Sequence, residues 1–337
     1  MLQRYRQIVA NVIIAMAVGL AVSLAANAAD ITFFVCSDTH YGATVEENAT
    51  RTAGVELMNT LPGTSYPDAL GSGTVGVPRG VLVLGDLIDD GAVEGTNRAQ
   101  WDCWKSDFGL NGEGRCKFPV YEGFGNHDLH RSRFLQEEIK ARNLKRANLK
   151  AISENGLHYS WDWDDVHFVQ LNLYPGQTWS PRSRYSAVHD PEHSLEFLAG
   201  DLKRNVGASG RPVVLMHHYD PRDNNDWWQR EEIAAYYDAI KDYNVIVILH
   251  GHTGTGIYKW NGIDVVNTGN LPGGGVFVCH ITPDNRLIVA QRTPAHEWTR
   301  TLAKSISVPN PRQPSAPAPG NGRTQVSPEL KQGAGPE

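Results

Sequence analysis

Residues 31–40 read Ile-Thr-Phe-Phe-Val-Cys-Ser-Asp-Thr-His, an apolar run followed at once by polar side chains. A short run rich in β-branched and aromatic residues predicts a buried strand. The same succession recurs further along: residues 81–84, 119–121, 213–216 and 245–249 are apolar, and Asp, Asn or His follows each of them. The polar residues therefore come at the carboxyl ends of strands, where open α/β sheets collect their ligands.

Helix-like segments separate these strands along the chain. They are predicted at residues 46–61, 97–108, 128–152, 191–206 and 226–243. Alternation of strands and helices is typical of an α/β fold. Towards the carboxyl end Asn261-Gly262 predicts a tight turn between two antiparallel strands. The sequence therefore predicts a layered α/β domain with mixed sheets.

The polar clusters offer carboxylate, amide and imidazole groups, which suit zinc, iron or manganese. They are Asp38-x-His40, Gly85-Asp86-x-x-Asp89, Gly125-Asn126-His127-Asp128, His217-His218 and His250-Gly251-His252. On an extended backbone Asp38 and His40 would project from the same face. Glycine before three of the clusters suits sharp turns. Any one cluster is common in loops, but five in succession at five strand ends predict a shared metal site.

This set of motifs resembles that of the calcineurin-like metallophosphoesterases, and the resemblance covers residues 31–291. It implies a four-layer α/β/β/α sandwich of two mixed sheets. It also implies two metal ions, drawn from manganese, iron and zinc, and hydrolysis of a small phosphate ester. Whether that ester is a phosphomonoester or a phosphodiester is left open.

The resemblance also implies a role for each residue. Asp38 and His40 would bind the first metal, and Asp86 would bridge both. Asn126, His217 and His252 would bind the second. His127 would stand at the leaving-group oxygen, as a proton donor oriented by Asp128.

The last motif departs from the family pattern, which usually reads Gly-His-x-His. Here the run is Gly251-His252-Thr253-Gly254, so the first metal loses one protein ligand. In a shifted register His250 and His252 would be the pair, but the unshifted register keeps the glycine before the ligand. The departure also raises an alternative function, a catalytically impaired metal-binding protein on the same fold.

The chain begins with Arg4 and Arg6, continues with an uncharged apolar run at 8–25, and reaches Ala26-Asn27-Ala28. This order predicts a signal peptide at 1–28 and a periplasmic or secreted protein. The competing interpretation is an uncleaved membrane anchor, and no other segment is long and apolar enough to span. The domain is expected at 29–305, and the Pro- and Gly-rich residues 306–337 are expected to be disordered.

The formal net charge of the 337-residue chain is −6, and loss of two arginines with the signal peptide makes it −8. An acidic surface repels polyanions, so no nucleic-acid partner is expected. Twelve residues separate Cys103 from Cys116, and a loop-closing disulfide is predicted between them. Cys36 and Cys279 lie in apolar runs and are expected to be buried thiols.

Overall fold

The structure is a computed structural model that describes residues 29–129, 133–177, 189–222 and 228–307. The predicted signal peptide and all but two residues of the predicted tail lie outside these ranges. In the described ranges, no helix has both the length and the apolar composition needed to cross a bilayer.

The described strands are β1 (Ile31–Cys36), β2 (Val81–Leu84), β3 (Val120–Gly123), β4 (Leu149–Ile152), β5 (Tyr159–Trp163), β6 (Val166–Gln170), β7 (Val213–Met216), β8 (Val245–His250), β9 (Thr255–Trp260), β10 (Ile263–Thr268), β11 (Val276–Ile281), β12 (Arg286–Arg292) and β13 (Trp298–Ser305). The described helices are α1 (Ala49–Thr60), α2 (Thr96–Asp107), α3 (Asn126–Leu129), α4 (Phe134–Asn143), α5 (Ser194–Asp201), α6 (Arg230–Ile240) and α7 (Leu271–Gly274). A 3₁₀ turn spans Asp68–Leu70, and a π-helical turn, Leu202–Val206, continues α5.

The strands form two mixed sheets. One has six strands in the order β13-β12-β11-β1-β2-β3, and the other has seven in the order β4-β5-β6-β7-β8-β10-β9. Strands β1, β2 and β3 are parallel, and so are β6, β7, β8 and β10. Their carboxyl ends therefore meet at one edge of each sheet, which is where the polar clusters begin.

The sheets pack face to face, and helices cover both outer faces. In β1, Phe33 and Val35 belong to the apolar layer between the sheets, whereas Phe34 and Cys36 face the helices. Both faces of the strand are buried, which is why its sequence is an uninterrupted apolar run. Met58 of α1 and Tyr236 of α6 belong to the apolar cluster on the outer faces, where helices pack on the sheets. The predicted four-layer α/β/β/α sandwich is confirmed.

Two edge strands were not recognised in the sequence. The helix predicted at 128–152 is instead α3, α4 and the strand β4, which pairs with β5 in an antiparallel register. In β4 exposed and half-buried residues alternate, the period of a strand on a sheet edge. β13 pairs with β12, and all its residues are half-buried or exposed, so its apolar signal is weak.

The predicted disulfide is absent, because both Cys103 and Cys116 are free thiols. Cys103 Sγ lies 3.7 Å from the carbonyl oxygen of Ala43, and Cys116 Sγ lies 3.7 Å from that of Phe118. Hydrogen bonds close the loop instead, including one from the amide of Cys116 to the carbonyl of Asp107. Cys36 and Cys279 are buried as expected.

A buried histidine connects two strands and a helix of the seven-stranded sheet's outer face. His167 Nδ1 lies 2.7 Å from Asp162 Oδ1, and its Nε2 lies 2.7 Å from Asp201 Oδ2. Because both ring nitrogens face carboxylate oxygens, only the imidazolium can donate to both. Burial alone would lower the pKa of His167, but the hydrogen bonds to the two carboxylates outweigh burial and raise it.

Replacing His167 by Gln should therefore lower the free energy of unfolding by about 3 kcal/mol at pH 6, because a buried charge loses its partner. A raised folded-state pKa means that the stabilisation is complete below the unfolded value, about 6.5, and is lost as pH rises through the folded pKa. Denaturant unfolding at pH 6 and pH 9 should thus show the larger loss at pH 6. His193→Asn, at an exposed position, is the control, and an equal loss for His167→Gln at both pH values would contradict this account.

Candidate metal centre

The loops that follow β1 and β2 continue side by side beyond the ends of the strands. The amide of Asp38 donates to the carbonyl of Gly85, and that of His40 donates to the carbonyl of Asp86, each at 3.0 Å. These bonds extend the parallel ladder and bring the side chains of both loops to one place. The predicted convergence of the first two clusters is observed.

Four of the predicted ligands have a left-handed backbone conformation. The φ angles are 49° for Asp38, 42° for His40, 50° for Asp86 and 67° for His252. Side chains other than glycine rarely adopt such angles, and where they do the strain tends to mark a functional site. Asp38 and His40 thus converge through left-handed backbone conformations rather than along an extended strand, and His40 Nε2 lies 3.9 Å from Asp38 Oδ1.

Asp86 lies at the centre of the cluster. Its Oδ2 is 3.1 Å from His218 Nε2 and 3.8 Å from His40 Nε2, and its Oδ1 accepts a 2.9 Å hydrogen bond from the amide of His127. Burial alone would raise the pKa of Asp86, but the neighbouring His218 outweighs burial and lowers it. The carboxyl group is therefore an anion in a buried place that cationic partners must compensate.

His218 has the geometry of a metal-binding imidazole. Its Nδ1 lies 2.9 Å from the carbonyl oxygen of Leu84, to which it donates, so Nε2 is left facing Asp86 and, at 3.2 Å, Asn126 Oδ1. Two acceptor oxygens around this nitrogen require a cation there, either a proton or a metal ion. Burial would lower the pKa of His218, but Asp86 outweighs it and raises the pKa to about 9. A backbone carbonyl on the other nitrogen is the usual support of a metal-bound histidine.

The structure places His218, rather than the predicted ligand His217, beside the cluster. In β7, Val214 and Met216 face the layer between the sheets. Because side chains alternate along a strand, His218 continues on that same side, whereas His217 lies on the helix side. His217 Nδ1 lies 2.8 Å from the carbonyl of Tyr219, and the ring packs edge-on against Trp228 and Tyr236. It does not reach the cluster.

His250 also points away from the cluster, an arrangement that favours the unshifted register. Its ring stacks at 6.3 Å from that of His217, and its Nε2 lies 2.8 Å from the hydroxyl of Tyr258. His252 is the residue that joins the cluster: its amide donates to Asp38 Oδ2 at 3.0 Å. Burial and the nearby His218 lower the pKa of His252 to about 3, so the ring is neutral and able to bind a cation.

His127 and Asp128 have different surroundings from those predicted. The Asp128 carboxylate accepts hydrogen bonds from the amides of Leu87, Ile88 and Gly125 at 2.8–3.0 Å, which ties the loops after β2 and β3 together. His127 Nδ1 instead lies 2.7 Å from the carbonyl oxygen of Asp89. That carbonyl, rather than Asp128, orients the His127 ring. Asp128 instead holds the loops after β2 and β3 together.

Two glycines allow the loops to approach one another. A Cβ on Gly125 would collide with the Asp86 carboxylate and the His218 ring, and one on Gly251 would collide with Ser37 and Asp38. Neither residue has a positive φ, so close approach rather than turn conformation requires glycine here. Gly85, whose φ is 104°, is the one of the three predicted turn glycines with a left-handed conformation.

Two sets of donor atoms share Asp86. His40, Asp86 and His127 form one set, and Asp86, His218 and His252 form the other, with the ligand atoms of each set within 4.8 Å of one another. Asp38 and Asn126 lie at the margins of these sets, 3.9 Å from His40 and 3.2 Å from His218. Imidazole, carboxylate and amide donors in this number fit a pair of divalent ions that share one carboxylate.

Two cavities open onto the cluster. One, of about 400 Å³, is lined by Asp38, His40 and His252 together with Gly254, Asn270 and Arg300. The other, of about 450 Å³, includes Arg51, Asp89 and His127. A larger cavity, of about 540 Å³ and lined by residues such as Glu154 and Glu192, contains none of the predicted site residues. The polar cluster, not cavity size, identifies the site.

A model of the calcineurin-like phosphoesterase family matches residues 31–256, more than half of the chain. The chain belongs to the calcineurin-like phosphoesterase family. The resemblance seen in the sequence is thereby confirmed, and members of this family act on phosphate esters. A search of curated proteins found no match to the chain.

Solved structures resemble the fold of this chain at low sequence identity. Purple acid phosphatase PPD1 from yellow lupin (Lupinus luteus) seeds is 12% identical, with a TM-score of 0.52, over 82% of this chain and 54% of the lupin chain. This chain thus spans about half the length of the lupin protein. TT1561 of Thermus thermophilus is 12% identical, with a TM-score of 0.42, over 83% and 100% of the two chains. Wild-type Vps29 from Entamoeba histolytica, complexed with zinc, is 12% identical, with a TM-score of 0.35, over 82% and 100%.

The adjacent histidines His217 and His218 provide a matched pair of variants. His218→Gln should lower the affinity for Mn²⁺ by at least about a hundredfold, because it removes an imidazole beside Asp86, a larger effect than loss of an outer-shell partner. His217→Gln should lower stability but retain the metal. Calorimetric titration of Mn²⁺ and thermal unfolding of both variants would test this. If His217→Gln lost the metal and His218→Gln retained it, the placement of His218 rather than His217 at the metal centre would be contradicted.

Proposed function

We propose that this phosphoesterase is an exported enzyme that hydrolyses a small phosphate ester with two metal ions bound on either side of Asp86. The observation that carries the proposal is the sharing of Asp86 between the donor set with His40 and His127 and the donor set with His218 and His252. Metal ions in such pairs supply an activated water and offset the charge on the phosphoryl oxygens. Export rests on the predicted signal peptide and implies a periplasmic or secreted location.

The residues of the chain divide the remaining tasks. Asp86, buried and anionic, would hold both ions, and Asn126 would add a ligand without adding negative charge near an anionic substrate. His127 stands at the rim, with Nδ1 fixed by the carbonyl of Asp89. In the imidazolium form its Nε2 is the atom that would give a proton to the leaving oxygen, a contribution of about 10²–10⁴ in rate. That nitrogen would then not bind an ion, and Asp38, His40 and Asp86 would hold the first ion without it.

A catalytically impaired metal-binding protein is the second candidate, and Gly254 favours it. A Cβ on Gly254 would meet no atom within 4 Å, so open space lies where the family pattern has a histidine. The first ion would then be bound by fewer protein side chains. An ion with more exchangeable water could still serve hydrolysis, which is why the enzyme remains the preferred proposal.

The experiment that tests the proposal is hydrolysis of p-nitrophenyl phosphate and bis(p-nitrophenyl) phosphate by the purified full chain. Chelation should abolish hydrolysis and added Mn²⁺ should restore it. Asp86→Asn should lower kcat/KM at least about a hundredfold, since both ions lose a ligand. The relative rates on the two esters would assign monoesterase or diesterase activity.

Asp165→Asn, at an exposed turn between β5 and β6, is the matched control and should retain activity. If the wild type binds Mn²⁺ but hydrolyses neither ester, the second candidate gains support. Gly254→His would then identify the cause, because regained hydrolysis would show that the missing ligand had impaired the site. Absence of any stoichiometric metal would contradict both candidates.

A further inference from the structure

A β-bulge in the six-stranded sheet brings an arginine to a cavity that residues of the metal centre also line. In the pairing of β12 with β13, Ala290 is opposite Thr301 and Gln291 is opposite Thr299, so Arg300 is the extra residue. Its φ is 35°, in the left-handed region that arginine rarely adopts. Bulges next to active sites commonly redirect one side chain, and the strain at Arg300 indicates that its direction is specified by the surrounding structure.

A buried glutamine holds the guanidinium in place. Arg300 Nη1 donates to Gln291 Oε1 at 2.8 Å, and the hydroxyl of Thr299 donates to the same oxygen at 2.9 Å. Gln291 is only 2% exposed, and its Nε2 donates to the carbonyl of Gly274. The amide is therefore fixed at both ends, and it positions the arginine without neutralising it.

The charge of Arg300 has no counter-charge in the described part of the chain. No carboxylate of the described residues lies within ion-pair distance of its guanidinium, and its one side-chain partner there is the neutral Gln291. The remaining donors of the guanidinium fork are available to oxygen atoms of a ligand. A planar fork of this kind matches phosphoryl and carboxylate groups.

Arg300 shares its cavity with the metal centre. The cavity of about 400 Å³ is lined by Asp38, His40 and His252 and also by Gln291 and Arg300. Its volume is in the range of small-molecule sites, about 300–1,000 Å³. Gly254 also lines this cavity, with no atom within 4 Å of an added Cβ, so the departure from the family motif leaves room in the cavity that the metal centre and the arginine share.

We propose that Arg300 binds a second anionic group of the substrate, so that the enzyme selects esters that carry a further phosphoryl or carboxylate group beside the phosphoryl group under attack. The inference rests on the proposed function, since it places the reacting group at Asp86. The two anionic groups would bind in one cavity, one at the metal centre and one at Arg300. Arg300 is a specificity-determining residue in this scheme and takes no part in bond breaking.

The test compares three phosphonates that the enzyme cannot hydrolyse, titrated by calorimetry into the manganese-loaded full chain. Methylphosphonate has one anionic group, methylenediphosphonate has two phosphoryl groups, and phosphonoacetate has one phosphoryl group and one carboxylate. Arg300→Gln should weaken one or both of the bis-anions by about ten- to a hundredfold relative to methylphosphonate, because charged hydrogen bonds are lost. Arg300→Lys should retain part of the preference.

Arg286→Gln is the matched control, since it removes the same charge from the neighbouring strand β12 outside the cavity. It should leave the ratio of the affinities unchanged. If Arg300→Gln loses affinity for only one bis-anion, the proposal is supported and the second anionic group is identified. An equal loss of affinity for all three ligands would overturn the proposal, because Arg300 would then bind the reacting group itself. Unchanged affinity for every ligand would overturn it as well.

Failure of this inference can be told apart from failure of the proposed function. If the wild type binds the phosphonates with the expected preference but hydrolyses no ester, the enzyme proposal fails and the arginine site stands. If the wild type hydrolyses aryl phosphate and Arg300→Gln retains the bis-anion preference, the arginine site alone is wrong. Because Arg300 is exposed on an edge strand, the variants should fold, and circular dichroism would verify this.

Discussion

The carboxylate of Asp86 is the constraint on which the rest of the site depends. It is a buried anion at the point where the two sheets meet, and burial of an uncompensated charge is costly. Compensation comes from His218 of the seven-stranded sheet, His40 of the neighbouring loop and the amide of His127. Metal ions would supply the same compensation in stronger form, which explains why neutral and cationic donors surround this one side chain.

The surrounding backbone is shaped to keep that arrangement. Four left-handed residues and two glycines with no room for a Cβ lie around Asp86, and none of these features helps a strand or a helix to form. They are maintained by hydrogen bonds between loops, such as the three amides that donate to Asp128. The stability of the sandwich thus supports a strained edge, as is common where a protein positions reactive groups.

Much of the fold could be predicted from the sequence, because strands buried on both faces give uninterrupted apolar runs. The meeting of the polar clusters followed from parallel strands whose carboxyl ends share an edge. The choice between His217 and His218 could not be read, since all four residues of β7 are apolar and do not disclose which face each occupies. The edge strand β13, with its bulge at Arg300, lacked an apolar signal, and the Cys103–Cys116 spacing could not predict whether the two thiols would face each other.

Anomalous diffraction from crystals of the manganese-loaded protein tests the central claim most directly, because it locates ions without reference to activity. The account predicts two peaks that share the Asp86 carboxylate, one next to His40 and the other next to His218 and His252. Peaks beside His217 and His250, or no peak in contact with Asp86, would contradict it.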